Sequence, residues 1–231
     1  AEVAYLDLIL SQLAGEVYKD KVLEVVKDLL MNPVEGGTSL FDEASHMILF
    51  GLLTKYKDGT FIEEAKNRIL TPDGRVDGAV VNYLSTLLGD KAVPLLYAKL
   101  QGDGVSNNGD RMALGDAVLR HVGTHPNSDA YFKEVITNEE LGPFRFLALG
   151  HLVGGDTSKD TLRQRQKLIT EIKADTEDEG LHRMLDGTHD RLDVMIDPSK
   201  TKEQENDPNG RDRGIENLFN GLFNRGNRDK E

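Results

Sequence analysis

The sequence predicts an all-helical fold, an array of antiparallel helix pairs, and three observations carry that prediction. Apolar runs with helical spacing begin near Leu6, Ala44, Ala79, Met112 and Phe144, about 32–38 residues apart, a period that belongs to stacked helical-pair repeats. Each run is followed by a short break, a second helical run and a longer polar break. The chain has no Trp, and aromatic residues make up 6% of it. Leu, Val, Ile and Ala must therefore supply the core, as close helix packing permits.

In the first pair, Leu6, Ile9, Leu10 and Leu13 fall at i, i+3, i+4 and i+7 on one helical face. After Gly15 a second face follows with Val22, Val25, Val26, Leu29 and Leu30. It stops at Asn32-Pro33, because proline disfavours the helical conformation at the residue before it. Residues 34–39 read as a loop. Ser39 suits an N-cap with Asp42 three residues on, and Ala44, Met47, Ile48, Gly51 and Leu52 form the expected stripe of the next helix. Thr60 with Glu63 has the capping-box spacing, with Phe61 as a hydrophobic staple, and the helix that follows should end near Leu70 because Thr71-Pro72-Asp73-Gly74 is a strong turn signal.

The third pair sets Val80, Val81, Leu84, Leu87 and Leu88 on one helix and Ala92, Val93, Leu95, Leu96 and Leu100 on the next. Between them Gly89 suits the left-handed position after a helix, and Pro94 suits a first helical turn. The string Leu88-Gly89-Asp90-Lys91-Ala92-Val93-Pro94-Leu95-Leu96 resembles the HEAT-like (armadillo-type) helical repeats, and the match covers residues 79–100. The resemblance implies a right-handed α-solenoid, an α-α superhelix that holds partners on its concave surface.

Residues 103–110 read as a surface loop. The fourth pair joins Met112, Ala113, Ala117, Val118 and Val122 to Tyr131, Phe132, Val135 and Ile136 across the His125–Asp129 turn. The fifth joins Phe144, Leu147, Ala148, His151 and Leu152 to Leu162, Leu168, Ile169 and Ile172 across Gly154-Gly155-Asp156. A closing helix, Leu181 to Ile196, carries a thinner stripe of Leu181, Leu185, Leu192 and Met195. The expectation is thus a repeat domain over 1–196, built of about five antiparallel pairs plus a closing helix.

From Asp197 to Gly214 the chain has no aliphatic or aromatic side chain. Such a stretch buries too little to offset its ordering entropy, so 197–214 reads as a polar linker. Ile215, Leu218, Phe219, Leu222 and Phe223 then fall at i, i+3, i+4, i+7 and i+8, an amphipathic face on a segment (215–224) too short to be stable alone. These five are the candidate partner-binding residues, docking in cis on the array, on a second copy or on another protein. Residues 225–231 read as a disordered end.

The formal net charge is −12. From Asp197 onward seven Lys/Arg face eight Asp/Glu, so the body carries −11 of it. That balance argues against nucleic acid and anionic membranes, which need a basic surface, and for a basic partner. No apolar run approaches the ~18 residues of a membrane span. Absence of cysteine removes disulfides, thiolate metal sites and thiol nucleophiles. The start at Ala1-Glu2 without Met favours export after signal-peptide removal, with a trimmed chain as the alternative.

Candidate chemistry is thin. His121 and His125 have metal-ligand spacing, yet Gly123 and Thr124 end the helix between them and no third ligand stands nearby. Asp103 to Asp110 lacks the alternating oxygen ligands and twelfth-position Glu of a calcium loop. Gly150 to Gly155 lacks the Lys-Ser/Thr and the strand of a phosphate loop. Glu177, Asp178 and Glu179 suit the first turn of the closing helix, with a basic partner as the sharper alternative. No catalytic, metal or cofactor residue is therefore expected. The expected function is a non-enzymatic protein-protein interaction scaffold binding a peptide or domain on the concave face of the array. The alternative is an enzyme or ligand-binding domain whose site is assembled from residues distant in sequence.

Overall fold

The computed structural model describes residues 15–31, 39–142, 144–154 and 158–200. It divides into two compact units, Ala1–Pro126 and Asn127–Glu231, at the turn between the two helices of the expected fourth pair. The described part is helical and contains no strand; Leu70 and Val76 form an isolated antiparallel bridge.

The first unit holds α1 (Lys19–Met31), α2 (Ser39–Lys55), α3 (Ile62–Lys66), α4 (Gly78–Leu88), α5 (Val93–Gln101) and α6 (Asn108–Val122). Helix α2 packs on α1 and α4, α4 also packs on α6, and α5 lies on α6. Having neighbours on two sides, α4 buries a wide arc that includes Val80, Val81, Tyr83, Leu84 and Ser85. Asp77 caps it, its Oδ1 accepting from the amides of Ala79 and Val80. Gly89 terminates it with φ +58, a backbone state in which a Cβ is strained. A short 3-10 turn, Gly89–Ala92, leads to α5, and Pro94 occupies the first turn of that helix.

Several expected faces are displaced. On α1 the buried residues are Val22, Leu23, Val26 and Leu30, while Val25 is exposed and Leu29 half-buried. The apolar arc of this helix is wider than its contact with α2 covers. On α2 the core residues are Leu49, Phe50, Leu52 and Leu53, whereas Met47 and Gly51 face outward and Ile48 is half-buried. That helix is apolar nearly all round, so spacing alone does not choose its inner face. On α6, Leu114, Gly115 and Leu119 join Ala117, Val118 and Val122 inside, and Met112 and Ala113 are outside.

The capping box expected at Thr60 does not form. The Thr60 amide donates to Asp58 Oδ1 instead, Phe61 stands at the N-cap without a side-chain bond, and its ring enters the core. Helix α3 ends at Lys66 rather than near Leu70. Asn67 Nδ2 donates to the Glu63 carbonyl, competing with the helix ladder, and the chain turns so that Ile69 is fully buried and its carbonyl accepts from the Asp77 amide.

The second unit holds α7 (Ser128–Thr137), α8 (Phe144–Val153), α9 (Lys159–Ala174) and α10 (Glu179–Ile196). Helices α8 and α9 each touch both α7 and α10, and the most extensive pairing is α9 with α10 rather than α8 with α9. Phe132, Val135, Ile136, Leu152, Ile172 and Leu185 are among the buried side chains. Gln166 Nε2 on α9 donates to Asp193 Oδ1 on α10 at 2.6 Å. The helices expected around Leu6–Leu13 and Ile215–Phe223, and the Ala44 and Ser39 side chains, lie outside the described residues.

Candidate functional site

Among the described residues, most of the large apolar side chains left exposed lie on α1 and the turn before it. A 3-10 turn, Glu16–Tyr18, leads into the helix, and the Tyr18 amide donates to the Gly15 carbonyl. Left outside the core are Val17 (88% exposed), Tyr18 (52%), Val25 (44%) and Met31 (69%). Tyr18, Val25 and half-buried Leu29 fall at i, i+7 and i+11, so they share one edge of the helix. Asp20, Glu24 and Asp28, each exposed, fall at i, i+4 and i+8 and draw an acidic line beside that edge. Lys21 pairs with Glu24 at 3.2 Å in full solvent, where such pairs contribute little. The face combines exposed apolar contact area with three carboxylates, one of them paired with Lys21.

A second group lies where α2, α3 and α4 meet. His46 Nε2 stands 3.4 Å from Arg68 Nη1, and Nδ1 stands 3.9 Å from Asp77 Oδ2. Guanidinium only donates, so His46 Nε2 is the acceptor in this contact. Burial pushes Asp77 up, but the His46 ring and the α4 amides outweigh it and hold its carboxyl below the usual range. The trio braces the start of α4.

Next to it two loops interlock. The Ser106 amide donates to the Gly74 carbonyl at 2.8 Å, and the Val76 amide to Asp110 Oδ2 at 3.2 Å. Gly74 has φ +77, and a Cβ there would sit 2.5 Å from the Gly104 carbonyl oxygen. Asn107 caps α6 through the Asp110 amide. The residues of the 103–110 segment are thus engaged in holding the 71–76 turn.

Two buried polar anchors escaped the sequence reading. Tyr83 on α4 donates to the Asp58 carbonyl at 2.8 Å and accepts from the Phe61 amide at 3.3 Å, fixing the α2–α3 connection. Lys27 on α1 reaches Asp58 Oδ2 at 2.9 Å. Arg145 on α8 is 8% exposed; its Nε donates to the Ile136 carbonyl at 2.8 Å, and its Nη2 to Asp178 Oδ2 at 3.3 Å. Asp178 also caps α10, Oδ1 accepting from Gly180 and Leu181. The Leu181 amide first, then Gly180 and Arg145, hold that carboxyl below the usual range against its partial desolvation.

No protein-family model matches the chain, nor does any curated protein or solved structure.

The remaining sequence candidates resolve into local roles. Helix α6 ends at Val122, and His125 sits in the following turn with its amide on the Val122 carbonyl. Burial and neighbouring Arg120 push His121 down. Among the described residues no group of three or more His, Asp or Glu is placed to hold a metal ion, and no helix is long and apolar enough to cross a membrane. Past the end of α8, Arg165 Nη1 donates to the Leu152 and Gly154 carbonyls, both at 2.7 Å, which terminates that helix. Asp175 pairs with Lys133. Ile215, Leu218, Phe219, Leu222 and Phe223 lie outside the described residues.

Proposed function

We propose that this protein is a non-enzymatic interaction scaffold that holds a basic, partly apolar peptide or domain against an acidic helical surface. The observation that carries the reading is the outward face of α1, where Tyr18 and Val25 lie beside the Asp20-Glu24-Asp28 line. Singly scattered apolar residues are ordinary on a protein surface, and a group of them on one helix is not. Apolar contact would supply the affinity and the carboxylates the steering. The neighbour order in the first unit supports an array as the framework. Helices α2, α4 and α6 lie side by side although other helices separate α4 from its partners in the chain, as happens when helix pairs stack. In a right-handed α-solenoid of that kind, α1 is the second helix of the first pair and so belongs to the partner-facing row.

The test is a titration of the whole protein with a synthetic amphipathic Lys/Leu helix, followed by fluorescence anisotropy at low and high salt. Affinity is expected to fall about fivefold or more between 50 and 300 mM salt, because exposed charges are screened. It should fall at least tenfold in Val25→Asp and in the double variant Glu24→Lys/Asp28→Lys. Binding untouched by both variants overturns the reading.

A further inference from the structure

We propose that Asn108-Gly109, at the start of α6, is a self-modification site. The chain converts Asn108 to aspartate and isoaspartate through a succinimide, and the isoaspartate product releases the 103–110 segment from the 71–76 turn. The inference is independent of the reading of the α1 face. Two observations carry it: both reacting groups are free, and the residues on either side of them hold the interlocked loops.

Among the described residues this is the one Asn-Gly pair, and Gly109 has no Cβ to shield its nitrogen. In the reaction the Gly109 backbone nitrogen attacks Cγ of Asn108. The bond from Cγ to the side-chain nitrogen breaks, ammonia leaves with the proton given up by the Gly109 amide, and a five-membered imide remains. Water then opens the ring. Addition at Cγ gives aspartate; addition at the main-chain carbonyl gives isoaspartate, whose chain runs through Cγ. The Asn108 side chain is exposed and makes no hydrogen bond to a described residue. Gly109 is the second residue of α6, so its N–H has no partner within the helix, and none is found outside it among the described residues. Attack requires Asn108 to leave its helical ψ, a motion available at a helix end, where opening costs least. Neighbouring candidates are tied down. Asn107 Oδ1 accepts from the Asp110 amide at 2.8 Å and its Nδ2 donates to Asp110 Oδ2 at 2.9 Å. Asp58, before Gly59, is held by Lys27 and Thr60. Asp73, before Gly74, is held by Thr71, and the Gly74 amide donates to the Thr71 carbonyl.

The position gives the two products opposite effects. Aspartate puts a carboxylate at the first residue of α6, where the helix dipole favours it. Isoaspartate adds a methylene to the main chain between Asn107 and Asp110. The cap joining those two residues depends on their spacing, and so does the aim of Asp110 Oδ2 at the Val76 amide, 3.2 Å away. Displacing Asp110 removes one of the two bonds, Val76 to Asp110 and Ser106 to Gly74, that join the turn to the segment.

The test is incubation of the whole protein at pH 8 and 37 °C, followed by mass spectrometry of the tryptic peptide Leu100–Arg111, which excludes the Asn-Gly pairs at 209 and 220. The peptide is expected to gain about 1 Da as the amide becomes a carboxyl, with the gain at Asn108 and not at Asn107. The rate should lie within tenfold of that in the chain unfolded in urea. A larger deficit overturns the proposal, because the helix start then protects the pair, and so does a gain placed at Asn107. Asn108→Gln, whose larger ring closes far more slowly, should leave the peptide unchanged; an equal gain in that variant also overturns the proposal. Release is read by amide hydrogen exchange at Val76 and Ser106. The converted protein, separated by its added charge, should show a population exchanging at least tenfold faster than fresh protein, while aged Asn108→Gln and fresh Asn108→Asp should not. Conversion with exchange unchanged overturns the release. Equal acceleration in fresh Asn108→Asp assigns the loosening to charge and overturns isoaspartate as its cause.

Discussion

In the first unit the buried polar anchor is a neutral phenol, Tyr83; in the second it is a guanidinium, Arg145. Each ties the backbone at a helix boundary to a neighbouring helix. Tyr83 joins the Asp58 carbonyl and the Phe61 amide to α4, and Arg145 joins the last turn of α7 to the N-cap of α10. A phenol donates once, accepts once and leaves no charge behind. A buried guanidinium needs an anion, and here the anion is a capping carboxylate already committed to two backbone amides. The second unit thus concentrates two tasks on Asp178, while the first divides them between Tyr83 and Asp77. Concentration makes a unit more vulnerable to one substitution and to acid.

Three measurements break or sharpen that contrast. The largest effect is expected from Arg145→Met, which keeps much of the apolar stem and removes the charge. It strands the Ile136 carbonyl and half of the Asp178 pairing, and should cost about 3 kcal/mol in urea unfolding, toward the low end for broken buried pairs because Asp178 is partly in solvent. A cost below that of the phenol change would erase the contrast.

Tyr83→Phe keeps the ring against Phe50, whose centroid lies 5.2 Å away, and removes only the hydroxyl. It leaves the Asp58 carbonyl and Phe61 amide unpaired, for about 1–2 kcal/mol. Its cost should be the same at pH 7 and pH 4, since burial pushes the phenol further above its usual range and it stays protonated throughout.

Acid gives the smallest and most graded effect. A carboxyl whose folded pKa lies below its unfolded value stabilises fully above the unfolded value, and that contribution is lost as pH falls through the folded one. Asp77 and Asp178 both lie below the usual range, so the urea midpoint should decline as pH drops below about 4, where unfolded carboxylates begin to titrate. Asp178→Asn should flatten the second unit's share of the decline, read from hydrogen exchange of α10. A second unit whose acid response is unchanged in that variant would remove Asp178 as its cause.

Much of the helix order was legible because its signals are local. Pro94 stands in the first turn of α5 and Gly89 ends α4 at φ +58, each through backbone geometry that neighbours do not alter. The inner faces were less legible. Helix α2 is apolar around most of its circumference, so only the positions of α1 and α4 decide that Phe50 goes in and Met47 out. The candidate surface was hidden by the same ambiguity. Val25 shares an apolar run with Val22 and Val26, and its exposure follows from the width of that run exceeding one neighbour's footprint. The spacing of Tyr18, Val25 and Leu29 along one edge was the available signal. Arg145 gave none, since a lone arginine in an apolar helix acquires meaning only when α7 and α10 close around it.

The interlocked turns at Gly74 and Gly104 have a further consequence. Residues thirty positions apart share a space in which a carbonyl fills the place of a side chain. Neither loop is at liberty to lengthen, shorten or gain bulk by itself. Over the history of such a chain, a change in one is permitted only where the other has already given way, so the two are expected to vary as a pair.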